Sequence, residues 1–450
     1  MQLFFIKLKV SPCLGNSHEI SSKGAYAACW IKASDHLSAF AKATFLVERD
    51  EWHIDTVEIP PVAVTREMFI DRDVGLQNYD SASLRGFSVY YVAWSPEVDQ
   101  ETELPLSTLG KLDKAKYYKD RGSLLKKGYC LHPDSISCCN QIIKAHSIQK
   151  NQSLSSISID NHVYQLSIKS SLEKDYSVCY EKEGINKAST FRGFCKKHDN
   201  NLFEAIDNYV LAPTEEQVFL YAYRSICREL FEKNKAVSLL NANLSSFTKD
   251  CAEKRLVNNL IEGTNYGLDN LTKIKDTYDL TLSQRTFSDM KFVVFKCNQK
   301  PNMAFSGLIY PDFDFLGNGL QDLSDTNKSL SLVTLCSAPM EGGWGYLLAW
   351  HQEKSAACDT FVASLAELIN SGDSVEDALF RLIISGCENH AFSPLWWENL
   401  NSTHKEAIIQ RVNEMVDPLT LVSSSYLQKG LEGIIDWSFD EVSTNLDPHI

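Results

Sequence analysis

Alternating apolar and polar positions at the amino terminus predict a small β-sheet. The run "LFFIKLKV" interrupts its apolar residues with Lys7 and Lys9, and "GAYAACWI", "EWHIDTVEI" and "FSVYYVAW" are rich in β-branched and aromatic residues. Between the second and third runs, "SDHLSAFAKATFLVE" repeats apolar residues at helical spacing after a capping Ser34 or Asp35. The order strand, strand, helix, strand predicts an antiparallel sheet with a helix on one face over residues 1–110.

After about residue 207 the pattern becomes mainly helical. Pro213 and a capping box from Thr214 to Gln217 begin one helical pattern, and heptad spacing over 260–278 predicts a second, long helix. Strand-like runs follow at about 290–352, where the turn "EGGWG" predicts a hairpin. We therefore expect an α+β multidomain chain. Its predicted domains are a small α/β domain over 1–110, a Cys/His-rich module over 111–206 and a mainly helical domain over 207–450 with β-strands at about 290–352.

Composition limits the class of protein. The chain has 450 residues, of which 44% are hydrophobic and 23% charged, as in ordinary globular proteins. No apolar run reaches the roughly 18 residues that a membrane span needs, and the first residues do not form a secretory signal. Thirteen cysteines spread over this length do not indicate a disulfide scaffold. We expect a cytoplasmic protein that does not bind membranes.

Cysteines and histidines are concentrated in one segment. Nine of the 24 Cys and His residues lie between Cys130 and His198, where an even distribution would place about four. The same region is basic: residues 121–199 carry 12 Lys and Arg against 7 Asp and Glu, a net of +5 in a chain of net charge −14. The overall acidity argues against non-specific adhesion to nucleic acid by the whole protein, so any such contact is expected in this segment.

Two groups of residues have the spacing of metal ligands. Cys195 and His198 form a C-x-x-H pair at a predicted helix start, and Cys130 pairs with Cys138 or Cys139 across a longer turn. A structural zinc ion takes four such ligands in a tetrahedron, usually from two separate pairs. Either cysteine of the adjacent pair satisfies the spacing, and His132 is a substitute if Cys130 points away.

The order of these elements resembles the HNH (His-Me finger) nucleases over about residues 126–206. A cysteine turn precedes two strand-like runs, "QIIKAHSIQ" and "NHVYQLSI", and a helix begins at "FCKKHDN". The resemblance implies a zinc-stabilised ββα treble-clef module with Cys130, Cys138, Cys195 and His198 as zinc ligands. The segment also resembles a variant found in bacterial proteins, some encoded near phage-defence genes.

The resemblance implies a base and a second cation. His146 in "KAHSI" corresponds to the catalytic histidine, and Asp199 is the nearest equivalent of the last histidine of the pattern. The asparagine that names the family is absent, since Ser189, Thr190 and Phe191 occupy its place. Hydrolysis of a phosphodiester needs a base for water and a cation for the developing charge, here Mg²⁺ or Mn²⁺.

Basic side chains around these positions are candidate contacts for a nucleic-acid backbone. They are Lys144, Lys150, Arg192, Lys196 and Lys197.

The sequence thus favours a metal-dependent nuclease of DNA or RNA. The alternative is a zinc-stabilised recognition module without catalysis, with a protein partner bound through the acidic C-terminal region. No G-x-S-x-G, Walker A or H-E-x-x-H motif supports a hydrolase elsewhere in the chain.

Overall fold

The structure is a computed structural model, and it describes residues 2–13, 23–69, 73–94, 113–171, 174–247, 252–323, 325, 328–353, 355–416 and 423–446. The chain divides into two compact units. The amino-terminal unit comprises Met1–Leu124, Ser238–Gly263 and Asn413–Ser423, and the large unit comprises Leu125–Val237, Thr264–Val412 and Ser424–Ile450. The three-domain division predicted from the sequence stays a prediction.

The strands within the described residues are β1 Gln2–Pro12, β2 Gly24–Ala33, β3 Trp52–Ala63, β4 Phe87–Trp94, β5 Ala145–His146, β6 His162–Ser171, β7 Lys174–Gly184, β8 Thr190–Phe191, β9 Met290–Cys297, β10 Met303–Ile309, β11 Val333–Met340, β12 Gly343–His351, β13 His390–Phe392 and β14 Glu441–Thr444. The α-helices are α1 His36–Arg49, α2 Asp73–Arg85, α3 Lys114–Leu124, α4 Ser155–Ile157, α5 Lys196–Leu202, α6 Glu204–Asp207, α7 Glu215–Leu244, α8 Ala252–Gln284, α9 Ala356–Asn370, α10 Val375–Gly386, α11 Pro394–Asn399 and α12 Ser402–Val416. A π-helix covers Lys150–Leu154, and 3₁₀ turns cover Arg66–Phe69 and Phe287–Asp289.

The amino-terminal unit contains the predicted antiparallel sheet, in the order β3-β1-β2-β4. In β1, Ile6, Leu8 and Val10 are buried and the lysines between them are half-buried, which is the two-residue period of a strand. The side chain of Asp35 caps α1 by accepting a hydrogen bond from the Ser38 N–H at 2.8 Å. Helix α1 packs on one face of the sheet, as expected.

A second helix, α2, packs on part of the opposite face. It contributes Leu76, Tyr79 and Ala82 to a small cluster with Leu3 and Trp30 of the sheet. The sequence pattern did not predict this helix, because "DVGLQNYDSASLR" has few apolar residues and two of its three apolar contacts are only partly buried. The remaining part of that sheet face is not covered by α2.

The large unit is organised around an antiparallel sheet of eight strands. Their order is β14-β9-β12-β11-β10-β13-β6-β7, so strands on both sides of residue 206 share one sheet. The strands predicted at about 290–352 are confirmed, and β11 and β12 form the hairpin expected at "EGGWG". Gly342 in its turn has φ +70, a left-handed conformation that favours glycine. The helical region with an inserted sheet predicted for the C-terminal half is therefore present.

One hydrophobic core joins the Cys/His-rich segment to the rest of the large unit. Phe191, Phe194 and Phe203 come from the segment, and they pack in the same cluster as residues of α7, β9, β11 and β12. Helix α7 supplies a long buried stripe that includes Val218 and Ile226. The segment consequently shares its buried surface with the large sheet. No helix in the described part of the chain is both long enough and apolar enough to cross a membrane.

Candidate metal centre and the polar cluster beside it

The Cys/His-rich segment forms a two-stranded pairing followed by a helix. Strand β5 pairs with β8 through Ala145 opposite Phe191 and His146 opposite Thr190, and α5 begins five residues after β8. The second strand expected for the module does not pair with the strand that carries His146. The run "NHVYQLSI" forms β6, which pairs with β7 and β13 in the eight-stranded sheet. Its strand pattern was correct, but periodicity does not determine which partner a strand takes.

The ligand-bearing residues are brought together by backbone pairing. Residues 129–131 run beside residues 192–194, with the Leu131 N–H donating to the Gly193 carbonyl at 2.8 Å. Residues 141–143 lie along the following stretch and form a bridge to Cys195 through Ile142. Both pairings are non-local, since they connect positions about 50 to 60 residues apart along the chain. The cysteine turn thereby lies against the start of α5.

Four side chains form a compact group at this place. The ligand atoms of Cys130, Cys138, Cys195 and His198 all lie within 4.8 Å of one another. The shortest recorded separation is 3.3 Å, from Cys130 Sγ to His198 Nδ1. Tetrahedral ligands about 2.0–2.3 Å from a shared zinc ion would be about 3.3 to 3.8 Å apart, so the group is close to that size. It could hold a metal ion, and three thiolates with one imidazole are consistent with structural zinc.

Backbone N–H groups support two of the sulfur atoms. Cys195 is the N-cap of α5 and its Sγ accepts from the His198 N–H at 3.5 Å. Cys130 Sγ accepts from the Cys195 N–H at 3.4 Å. Burial raises the pKa of the Cys130 thiol to about 11. Burial also raises the pKa of Cys195, but N–H donors from His198 and Cys139 outweigh it and leave that pKa below its ordinary value.

The imidazole of His198 is oriented by a short relay of hydrogen bonds. Its Nε2 lies 2.8 Å from Ser137 Oγ, and Ser137 Oγ donates to Asp134 Oδ2 at 2.5 Å. The serine hydroxyl uses its proton on the carboxylate, so it accepts from the histidine, and the neutral ring carries its lone pair on Nδ1. That atom faces Cys130. Such outer partners fix the tautomer and orientation of metal-binding histidines.

The residues left as alternatives lie outside the group of four. His132 stacks on His198 with ring centroids 3.9 Å apart, and its Nδ1 accepts from the Asp134 N–H at 3.1 Å. Cys139 is exposed, whereas Cys138 is half-buried and belongs to the group. The structure therefore selects Cys138 from the adjacent pair. His132 packs against the His198 ring.

His146 also lies outside the group of four. Its Nε2 is 2.9 Å from the Ile185 carbonyl oxygen, which can only accept, so Nε2 carries the proton of the neutral ring. The lone pair of the imidazole is consequently on Nδ1. Burial lowers the pKa of His146, the Ile185 carbonyl raises it, and the positive charge of Lys150 lowers it further. The ring is neutral at physiological pH and can accept a proton.

Asp199 is influenced by an ion pair between the buried Arg224 and the partly exposed Asp207. Arg224 of α7 donates to both carboxylate oxygens of Asp207 at 2.7 and 2.8 Å, and its guanidinium lies 4.1 Å from the ring centroid of Phe203. Burial raises the pKa of Asp199 to about 6, against the opposing charge of Arg224. His146 is influenced by the same Arg224 and Asp207 charges. The charges of one ion pair therefore act on both His146 and Asp199.

Several buried polar atoms around this ion pair have no protein partner within the described residues. Gln152 donates from Nε2 to the Asp207 carbonyl, yet its Oε1 is unpaired. The Nε of Arg224 and the hydroxyl of Tyr221, which is influenced by Arg224 and Asp207, are also unpaired. Buried polar groups are normally hydrogen-bonded. Water or a bound polar molecule is the expected partner of these atoms.

The five basic residues predicted to contact nucleic acid differ in their exposure to solvent. Lys144, Lys196 and Lys197 are exposed, and Lys150 and Arg192 are half-buried. Lys197 donates to the Ser137 carbonyl at 3.2 Å, and Arg192 donates to the Lys126 carbonyl at 3.3 Å. The exposed lysines are therefore the more accessible part of the predicted surface.

The chain matches no protein-family model, no curated protein and no solved structure. Sequence reasoning missed Ser137, Asp134, Arg224 and Asp207. The turn "HPDSIS" contains the Asp and Ser of the relay, and this was an available signal, whereas Arg224 lies in another helix with no spacing that connects it to His146.

The two adjacent cysteines provide a matched test of the metal group. We expect Cys138→Ser to lose the bound metal, because it removes one of four ligands, and Cys139→Ser to retain it. Elemental analysis of protein purified without chelator measures the metal content of each. Full metal content in Cys138→Ser would show that Cys138 is not a ligand.

The Ser137 relay gives a second test. Ser137→Ala removes the acceptor of the His198 Nε2 proton while leaving all four ligands, so we expect a roughly 10- to 100-fold weaker metal affinity. Competition with a zinc chelator measures the affinity. Ser135→Ala, in the same turn, is the control. An unchanged affinity in Ser137→Ala means that the relay does not orient the ligand.

Proposed function

We propose that Cys130, Cys138, Cys195 and His198 bind a structural zinc ion. All four donors are of the kinds that zinc prefers, and a full set of protein ligands leaves no open position for a substrate. Because an unfolded segment has no preformed site, zinc binding would contribute directly to folding. Because the segment shares a hydrophobic core with α7, zinc binding would stabilise the large unit as a whole.

We further propose that the protein is a metal-dependent nuclease that hydrolyses phosphodiester bonds in DNA or RNA. The observation that carries this proposal is the state of His146. Its Nε2 is held by the Ile185 carbonyl and its Nδ1 carries the lone pair, outside the zinc group. A general base requires a neutral ring with an acceptor nitrogen, and His146 has both.

The reaction follows from these roles. Nδ1 of His146 takes a proton from a water molecule, the water oxygen attacks the phosphorus atom, and the bond to the leaving oxygen breaks. Asp199 would hold a Mg²⁺ or Mn²⁺ ion through its carboxylate, and such an ion neutralises charge on the phosphate and the leaving oxygen. The unpaired polar atoms near Arg224 support a polar ligand at this place. The similarity to modules encoded near phage-defence genes makes bacterial phage defence the proposed setting.

The exposed lysines support nucleic acid as the substrate. Lys144 precedes β5, and Lys196 and Lys197 begin α5, so all three are close in sequence to the elements that carry His146 and Asp199. Ammonium groups at such positions contact phosphates and position a strand without reading its sequence.

The alternative is a zinc-stabilised recognition module that binds nucleic acid or a protein without cleavage. One observation favours it: Thr190 lies opposite His146 in the β5–β8 pairing, in the stretch where the HNH pattern would place its asparagine. A protein partner would then bind through the acidic C-terminal region. The two proposals share the zinc site and differ in the role of His146.

Replacement of His146 distinguishes them. We expect His146→Ala to abolish cleavage of plasmid DNA or RNA in the presence of Mg²⁺ or Mn²⁺, while zinc content is unchanged and stability falls by roughly 1 kcal/mol for the lost hydrogen bond. Gel assays of cleavage, elemental analysis and thermal unfolding measure these quantities. Asp199→Asn is expected to lose cleavage in the same way.

His162→Ala is the matched control, since His162 is exposed and its Nδ1 lies 2.7 Å from the nearby Asp160 carbonyl. It should cleave as the unaltered protein does. A His146→Ala protein that loses its zinc would show that the residue is structural. Absence of cleavage by the unaltered protein with either ion favours the recognition module.

The basic surface can be tested through the salt dependence of binding. We expect Lys144→Gln, Lys196→Gln and Lys197→Gln together to weaken binding and to reduce the slope of log K against log salt by at most about 2.7. Titrations of labelled duplex at several salt concentrations measure the slope. A triple variant of exposed lysines elsewhere in the large unit, Lys273, Lys300 and Lys429, is the control. Equal effects in the two triple variants would place the contact surface elsewhere.

A further inference from the structure

The four-stranded sheet of the amino-terminal unit has one face that the described residues cover only in part. Lys7 and Lys9 of β1 alternate with the buried Ile6, Leu8 and Val10, so they point away from α1. Helix α2 covers the other end of this face, near Trp30. The part beyond α2 therefore presents the lysines.

Strand register identifies the neighbours of these lysines. Lys9 lies opposite Tyr26 and Lys7 opposite Ala28 in the β1–β2 pairing. In the β2–β4 pairing, Tyr26 lies opposite Val92 and Ala28 opposite Tyr90. Side chains directly opposite one another in antiparallel strands share a face. Lys7, Lys9, Tyr26, Ala28, Tyr90 and Val92 consequently form one surface, which we call the β-sheet platform.

The platform exposes aromatic and apolar groups beside positive charge. Tyr90 is 42% exposed and Val92 is 53% exposed, which is high for residues of a sheet face. The Lys7 ammonium lies 4.1 Å from the centroid of the Tyr26 ring. Tyr26 and Tyr90 are diagonal neighbours, a relation that places side chains roughly 7–8 Å apart, and the half-buried Ala28 marks the border with the cluster formed by α2.

Charge argues for an anionic occupant. Strands β1, β2 and β4 contain no Asp or Glu, although the chain has 58 of these residues and a net charge of −14. The acidic residues Asp55 and Glu58 lie on the edge strand β3, at the border of the platform, where Ser11 Oγ donates to Asp55 at 2.8 Å and Thr56 Oγ1 donates to Glu58 at 3.2 Å. The two tyrosines thus lie on strands without a carboxylate, and the lysines lie on β1, next to the strand of Tyr26.

We propose that the β-sheet platform binds single-stranded nucleic acid. Bases stack on exposed aromatic rings and the backbone phosphates pair with lysine ammonium groups, a combination that is tolerant of sequence. A flat sheet face with two tyrosines and two lysines provides both interactions. Duplex binds less well, because its bases are already stacked and unavailable to the rings. The site is separate from the residues around His146, so it does not depend on the proposed cleavage.

Fluorescence anisotropy with a labelled single strand of about 16 nucleotides, as DNA and as RNA, tests the proposal on the full chain. The titration is done without added divalent cation, and the same strand in duplex form is the comparison. Tyr90→Ala is expected to raise the Kd of the single strand about fivefold or more. Tyr118→Ala is the matched control, because Tyr118 is 51% exposed in α3 of the same unit, and its Kd should be unchanged.

A second variant retains every ring of the platform. Lys7→Gln with Lys9→Gln should reduce the salt slope for single strands by up to about 1.4, since each lost phosphate contact contributes about 0.7. Lys23→Gln with Lys119→Gln, both exposed in the same unit, should leave the slope unchanged. Together the two variants separate stacking from charge, and thermal unfolding shows whether each remains folded.

Three results would overturn the proposal. The first is equal Kd values for the platform variants and the unaltered protein. The second is equal binding of duplex and single strand. The third is a platform variant whose only change is a smaller mass by light scattering, which would identify the face as a contact between two copies of the chain. Binding without cleavage supports the platform and counts only against the nuclease proposal.

Discussion

The pairing of residues 129–131 with residues 192–194 is the constraint on which the candidate site depends. It places Cys130 against the first turn of α5, where Cys195 and His198 are already adjacent through helical geometry. Without this non-local contact the two ligand pairs would belong to separate parts of the chain. The ligand atoms within 4.8 Å of one another are its direct result, and a metal ion shared by the four would in turn hold the pairing in place.

The same contact links the segment to the large sheet. Phe194 and Phe203, on either side of α5, are fully buried and belong to the core that contains α7. Arg224 extends from α7 to Asp207 and packs over Phe203. A buried guanidinium is costly unless it is paired, so removing its partner would be strongly destabilising. The site is therefore held by surrounding structure, and a change in its ligands is transmitted beyond residues 111–206.

Two histidines in the segment show how environment separates roles. His198 presents Nδ1 to the sulfur of Cys130 because Ser137 binds its Nε2, and His146 keeps Nδ1 as its acceptor because the Ile185 carbonyl binds its Nε2. The residue type is the same in each case. The atoms around Nε2 determine which tautomer is present. The neighbours of Nδ1 determine what the ring can bind or accept.

The sequence by itself determined the features that depend on neighbours along the chain. The C-x-x-H spacing of Cys195 and His198 predicts one helical turn, and alternation in β1 predicts a strand, because both follow from fixed backbone periods. Only the tertiary structure decided between Cys138 and Cys139, paired β5 with β8, and brought Arg224 beside Asp199. Those outcomes depend on which buried surfaces meet and on the direction in which adjacent side chains point. The periodic pattern of the sequence indicates neither which distant surfaces meet nor which of two adjacent side chains points toward them.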